Sequence, residues 1–196
     1  MSDQPTRQDV ALAGHTGDVQ LVRRGAGAGD PVVRAAALTA LQRLDALTDD
    51  TVRAALTDPA PVVRRRAVHL AAARPGVDLL QALGDGDWSV VETAAWAAGE
   101  QSEMEPISGE VLAVIIHLAT DHDEPLVREA AVAALGAIGD ERGLAAILAA
   151  TRDKPAIRRR AVIALTPFDG PEVEAALERA GSDHDWQVRD AAADLK

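Results

Sequence analysis

The stretch Pro125-Leu-Val-Arg-Glu-Ala-Ala-Val-Ala-Ala-Leu-Gly136 carries the pattern that decides the fold. Its apolar residues recur at a helical spacing, and its Pro stands where a helix begins, because a fixed φ angle and a missing N–H suit the first turn. The same pattern, Pro or Trp followed by apolar residues and usually Arg, occurs five more times: Asp30-Pro-Val-Val-Arg34, Pro61-Val-Val-Arg64, Asp87-Trp-Ser-Val-Val91, Lys154-Pro-Ala-Ile-Arg158 and Asp185-Trp-Gln-Val-Arg189.

The repeated segments define units of similar length. We call the Arg position the anchor; successive anchors lie 27 to 37 residues apart. This is the length of one helix–turn–helix unit, and an apolar periodic segment precedes each anchor, so the sequence predicts six helix pairs. A small residue, which closely crossed helices require, stands three positions after every anchor: Ala37, Ala67, Ala94, Ala131, Ala161 and Ala192.

The composition points to the same class. Of 196 residues, 47% are hydrophobic but only 2% aromatic, and runs such as Ala71-Ala72-Ala73 favour helices over strands. The absence of Cys excludes disulfides and thiolate metal sites. A formal net charge of −11 disfavours nonspecific binding to nucleic acid or anionic lipid, so a charge-steered partner is expected to be basic. Without a signal-peptide pattern or a membrane-spanning apolar stretch, we expect a cytoplasmic protein.

These observations predict an all-α fold, a right-handed α-α superhelix of about six helix pairs stabilised by contacts between adjacent units. We expect one array of helix-pair repeats to fill a single domain over 1–196. Its predicted parts are an N-terminal capping segment (1–17, with a short helix over Thr6–Ala13), repeats one to three (18–99, with a flexible turn at Gly25–Gly29), an exposed acidic loop (100–110) and repeats four to six (111–196).

The motif Asp-x-x-Val-Arg-x-Ala-Ala-x-Ala-Leu-Gly, seen in Pro125–Gly136 and, with Val91 in place of Arg, in Asp87–Glu100, resembles the HEAT-like repeats of the phycobilisome-lyase type. The resemblance covers roughly residues 18–196 and implies a repeat solenoid. The group includes bilin lyases, metal-binding hydroxylases and plain scaffolds, so the resemblance implies no particular reaction. It also implies that each anchor Arg pairs with a neighbouring Asp to tie successive units together; the alternative is a nucleic-acid-binding stripe.

Residues just after the anchors vary from unit to unit, and this variation indicates a surface. Positions one and five after the anchor lie one helical turn apart on one face, and stacks of helix pairs present their second helices on the concave side. Mixed charges there favour recognition of a protein, with Trp and Arg as hot spots, while partial burial against a neighbouring unit is the alternative for the Trp. The candidate partner-binding strip is Arg65, His69, Glu92, Trp96, Glu129, Arg159 and Ile163.

Patterns for catalysis or metal binding are weak. No Ser/His/Asp grouping is suggested by spacing, and Gly25–Gly29 is no phosphate loop because no strand precedes it and no Lys-Ser/Thr follows. The corners Asp121-His-Asp123 and Asp183-His-Asp185 are two units apart, and helices packed at about 8–10 Å keep them from sharing one ion. A site made by His117, Asp121 and His122 is the remaining metal hypothesis; we predict no catalytic residue, metal or cofactor.

The sequence therefore predicts a non-catalytic scaffold or adaptor that binds a protein, and neither nucleic acid nor membrane. One alternative is an accessory factor in cofactor or protein-modification chemistry resembling bilin lyases, although one Phe and no Tyr offer little to a bilin pocket. Another is a HEAT-like DNA glycosylase, which the net charge disfavours. We expect a monomer whose last helix packs Trp186, Val188, Ala192 and Leu195 inward and turns Asp190, Asp194 and Lys196 to water.

Overall fold

The computed structural model describes residues 4–195. Over these residues the chain forms thirteen α-helices and one 3-10 turn, with no strand. No helix there is long and apolar enough to cross a membrane. The helices are α1 Arg7–Thr16, α2 Val19–Ala26, α3 Pro31–Arg43, α4 Asp49–Leu56, α5 Pro61–Ala71, α6 Leu80–Leu83, α7 Trp88–Ser102, α8 Gly109–Asp121, α9 Pro125–Ile138, α10 Leu144–Ala150, α11 Pro155–Ala164, α12 Pro171–Ala180 and α13 Trp186–Ala193; the 3-10 turn is Glu141–Gly143.

The helices stack in two layers. The second helices α3, α5, α7, α9, α11 and α13 each contact the next along one row, and the first helices α2 to α12 lie beside them. Contacts between successive first helices are sparser than those between second helices. We call the row of second helices the inner layer, after the concave side on which the sequence analysis places it. The predicted all-α repeat solenoid is confirmed.

Small residues let neighbouring second helices approach closely. The Ala three positions after each anchor is fully buried in all six units. A Cβ atom added to Gly136 on α9 would stand 2.7 Å from Cα of Ala164 on α11, and one added to Gly99 on α7 would stand 3.2 Å from Cα of Ala134 on α9. The Ala and Gly bias seen in the sequence therefore sets the spacing of the inner layer.

Helix α1 extends this inner row in front of the first unit. It begins with a capping box between Thr6 and Asp9 and packs against α3, where a Cβ on Gly14 would meet Cβ of Ala40 at 2.8 Å. The predicted capping helix is thus present but ends at Thr16 rather than near Ala13.

The predicted flexible turn at Gly25–Gly29 is wrong for its first residues. Gly25 is buried inside α2, where an added Cβ would lie 2.5 Å from a methyl carbon of Val10. Gly25 is required by the close packing of α1 on α2, and the turn begins only after Ala26.

The predicted exposed loop over 100–110 is also shorter than expected. Helix α7 continues through Ser102, and α8 begins at Gly109. Gln101 is only 6% exposed, and its side-chain N–H group donates to the backbone carbonyls of Ala71, Arg74 and Val77 at 3.0 to 3.1 Å. A polar residue in a charged segment is therefore buried because it holds the connection between α5 and α6.

The last helix differs from the prediction at one residue. Val188 and Ala192 are buried and Leu195 packs on them, as expected, whereas Trp186 is 64% exposed. Trp186 occupies the first turn of α13, the position that Pro takes in most other units, and this position lies outside the packed helix face. Lys196 lies outside the described residues.

Candidate interaction surface

Four anchor Arg residues are held in an ion-pair ladder. Each guanidinium donates two hydrogen bonds, from Nε and Nη2, to one carboxylate in the corner of the next unit, over 2.6 to 3.0 Å. Nη1 of each also donates to carbonyl oxygens of its own corner, as from Arg34 to Ala28 and Gly29. The pairs are Arg34–Asp58, Arg64–Asp85, Arg128–Asp153 and Arg158–Asp183.

The ladder answers the question that the sequence left open about the anchors. Because both partners are largely buried and the donors are used within the protein, these Arg side chains tie units together and do not form a nucleic-acid stripe. The hydrogen bonds from Arg158 lower the pKa of Asp183 to about 2. Arg hydrogen bonds likewise lower the pKa values of the other three ladder carboxylates, Asp58, Asp85 and Asp153.

One rung of the ladder is missing. Val91 takes the anchor place on α7 and is buried, and no ion pair joins α7 to α9 in the described part of the chain. Apolar contact and the close approach at Gly99 hold this junction instead.

The inner face of α5 and α7 carries an aromatic stack. The rings of His69 on α5 and Trp96 on α7 lie nearly parallel, with centroids 5.0 Å apart. Trp96 is 36% exposed, so it is both packed against a neighbouring unit and open to solvent. The partial burial considered as the alternative for Trp96 is therefore present, and the exposed part of the ring is accessible to a ligand.

Two open pockets adjoin this stack. One, of about 510 Å³, lies between α7 and α9 and is bordered by Trp96, Glu92, Glu129 and the small residues of both helices. The other, of about 400 Å³, lies between α3, α5 and α7 and is bordered by Arg65, His69 and, again, Glu92. Five of the seven residues of the predicted strip thus border one or both of two pockets that share Glu92: Arg65, His69, Glu92, Trp96 and Glu129.

The other two residues of the strip are exposed but border neither pocket. Arg159 and Ile163 lie on α11, where the next Arg along the chain, Arg160, reaches the pocket between α7 and α9. Nε of Arg160 lies 3.8 Å from a carboxylate oxygen of Glu129.

Sequence reasoning missed further residues of these pockets. Arg66 stands in the same register as Arg160 and borders the smaller pocket. Val62 and Leu126, two positions before their anchors, border one pocket each and are 46% and 49% exposed. An apolar residue at an otherwise exposed helical position was the available signal.

The histidine corners do not form a cluster with the geometry of a metal site. Nδ1 of His117 lies 3.1 Å from an Asp121 oxygen, while Nδ1 of His122 accepts the backbone N–H of Glu124. Within residues 4–195 no group of three or more His, Asp or Glu side chains is placed to hold an ion. The hydroxyl of Thr120, with a smaller contribution from His117, lowers the pKa of Asp121.

Comparison with known proteins agrees with this architecture. Residues 76–166, which include the larger pocket, match the family described as HEAT repeats. The fold is a HEAT/armadillo-type repeat solenoid. No curated protein sequence matches the chain.

Solved structures with this solenoid fold span nearly the whole chain at low sequence identity. YibA of Escherichia coli is 17% identical, with a TM-score of 0.71 over 98% of this chain and 74% of YibA. A designed armadillo repeat protein in complex with the peptide (KR)4 is 18% identical, with a TM-score of 0.62 over 99% of this chain and 98% of its own. Importin beta is 17% identical, with a TM-score of 0.65; 96% of this solenoid corresponds to 30% of that chain.

Proposed function

We propose that this solenoid is a scaffold or adaptor that binds a protein partner through the inner face of its second helices, and that it acts without catalysis. The observation that carries the proposal is Trp96, an exposed aromatic side chain that borders the larger pocket and stacks on His69, which borders the smaller one. Exposed Trp and Arg residues set in a pocketed surface are typical of binding hot spots.

The solved structures and the charge support a protein or peptide ligand. The designed armadillo protein, whose fold this chain shares, was solved with a peptide of alternating Lys and Arg. The net charge of −11 favours approach of a partner with basic groups and opposes that of a phosphate backbone. The phycobilisome-lyase-like subtype, the cytoplasmic location and the monomeric state remain proposals that rest on the sequence.

The proposal predicts a specific loss of affinity in Trp96→Ala. A protein captured from a lysate of the source cells and identified by mass spectrometry should bind this variant at least about thirtyfold more weakly than the wild type, as expected for a hot spot of about 2 kcal/mol. Isothermal titration with the purified partner gives the dissociation constants.

Trp88→Ala is the matched control for this experiment. Trp88 lies on the same helix and is 46% exposed, but it borders neither pocket. Its removal should leave affinity unchanged, and both variants should keep the helical circular dichroism of the wild type. Unchanged binding by Trp96→Ala would show that the partner uses another surface, and unfolding would assign Trp96 to the core.

The two alternative functions have separate tests. Absorbance of the protein purified from its source should reveal a chromophore if the chain handles a bilin. A labelled DNA duplex at physiological salt should bind if the solenoid resembles a DNA glycosylase. The proposed adaptor function predicts neither signal.

A further inference from the structure

The pocket between α7 and α9 has a lining that suits a cationic side chain. Its floor is made of small residues, among them Gly99, Ala133 and Ala137, which leave room for an aliphatic stem. Glu92, Trp96 and Glu100 follow one another at intervals of four along α7, so the two carboxylates flank the indole on one helix face. A cation placed there meets an aromatic ring and two negative charges together.

These two carboxylates are available to a ligand. Among the described residues, no Arg, Lys or His side chain forms an ion pair with Glu92 or Glu100, whereas Glu129 is partly neutralised by Arg160 at 3.8 Å. His69 covers one face of Trp96, and the indole borders the pocket elsewhere. The site therefore has an unused negative charge next to an exposed part of the ring.

The neighbouring pocket has the opposite character. Arg65 and Arg66 border it, both are exposed, and neither forms an ion pair within residues 4–195. Guanidinium groups bind carboxylates with two parallel hydrogen bonds, so a pair of them is a suitable site for an acidic side chain or a chain terminus. Glu92 borders both pockets, which places the positive and negative sites side by side.

We propose that the partner docks a bipolar segment across these two pockets, with an Arg or Lys side chain beside Trp96 and a carboxylate on Arg65 and Arg66. The cation lies between Glu92 and Glu100, and its stem covers the alanine floor. Charge complementarity at two adjacent sites fixes the direction of the segment, because a reversed segment would place like charges together. This inference rests on the proposed function and specifies the partner segment as one that carries both a basic and an acidic group.

Selection from a random peptide library displayed on phage tests the inference. Peptides enriched on the wild type should contain both an acidic and a basic residue at a constant separation, with a constant order. Enrichment of uniformly basic or uniformly acidic peptides would overturn the bipolar assignment.

Charge reversal on the protein gives the second readout, with a synthetic copy of the most enriched peptide as the probe. The double variant Arg65→Glu/Arg66→Glu should weaken that peptide by at least about tenfold, and reversal of the peptide's acidic residue to Lys should restore binding. The control Arg23→Glu/Arg24→Glu changes the net charge equally on α2, which borders neither pocket, and should have little effect. An equal loss of peptide affinity in both double variants would mean that only the net charge of the protein matters, and this would contradict the proposal.

The outcomes separate this inference from the proposed function. If selected peptides depend on Trp96 but show no bipolar pattern, the inner face still binds a partner and only the bipolar chemistry fails. If the peptides bind Trp96→Ala as tightly as the wild type, the inner face itself is the wrong surface.

Discussion

At Gly136 the inner helices α9 and α11 approach so closely that a single methyl group decides their packing. An added Cβ would stand 2.7 Å from the backbone of Ala164, at Gly99 it would stand 3.2 Å from that of Ala134, and at Gly86 it would meet nothing within 4 Å. Backbone atoms cannot move aside as a flexible side chain can, so the first of these sites has no cheap relaxation.

We expect Gly136→Ala to lower the free energy of unfolding by about 1–3 kcal/mol, since overpacking outweighs the gain of about 1 kcal/mol in helix propensity. Gly99→Ala should cost less, and Gly86→Ala should change stability by less than about 0.5 kcal/mol. Urea unfolding measures all three. A Gly136→Ala protein as stable as the Gly86→Ala protein would mean that the inner helices can slide apart.

At the same scale, the sequence predicts a surface position for Trp96, which is exposed beside a pocket, but it does not distinguish between adjacent exposed positions. Arg159 and Arg160 are equally polar and follow each other on one helix, and only the way α11 crosses α9 turns Arg160 toward the pocket. Trp186 was misplaced for a related reason. The sequence pattern assigns this aromatic residue to the apolar face of α13, although its position in the first turn projects away from the other second helices.

At the scale of the element, Gln101 shows how a helix end can fasten a distant connection. Its amide joins α7 to the carbonyl of the last residue of α5 and to two carbonyls that follow it, across 24 to 30 residues of chain. Periodicity reveals the helices themselves, because it is local. It does not reveal such a bond, since nothing in a Glu-rich segment distinguishes a buried Gln from an exposed one.

Gln101→Leu should therefore destabilise the protein by about 1–3 kcal/mol, because three backbone carbonyls lose a side-chain donor, although those of Ala71 and Arg74 keep a backbone N–H donor. Gln81→Leu is the control, as Gln81 is exposed on α6 and its side chain makes no hydrogen bond in the described part of the chain. Thermal unfolding followed by circular dichroism compares them. If Gln101→Leu has the same melting temperature as the wild type, the three hydrogen bonds make no net contribution to stability.

At the scale of the whole molecule, the ladder predicts how stability responds to acid. The folded pKa of Asp183 is about 2, against an ordinary value of 3.8, so the stabilisation from its pairing is complete above about pH 4 and is lost as the pH falls toward 2. The other ladder carboxylates are shifted in the same direction by the same cause.

We expect the melting temperature to fall on acidification through this window, and the difference between wild type and Asp183→Asn to shrink with it. Asn keeps the shape of the side chain but carries no charge to lose. Melting curves at several pH values test this. A difference that stays constant down to about pH 2 would show that the pair of Arg158 and Asp183 does not titrate as the lowered pKa requires.

The buried Val91 leaves the central junction of the stack, between α7 and α9, without a titratable ion pair. Acid removes the charge from the ties between α3, α5 and α7 on one side and between α9, α11 and α13 on the other, but the junction of α7 with α9 has no such charge to lose. In acid we therefore expect the junctions on either side to weaken while the junction of α7 with α9 does not. The two helices that enclose the larger pocket thus form the junction whose stability should depend least on protonation of the ladder.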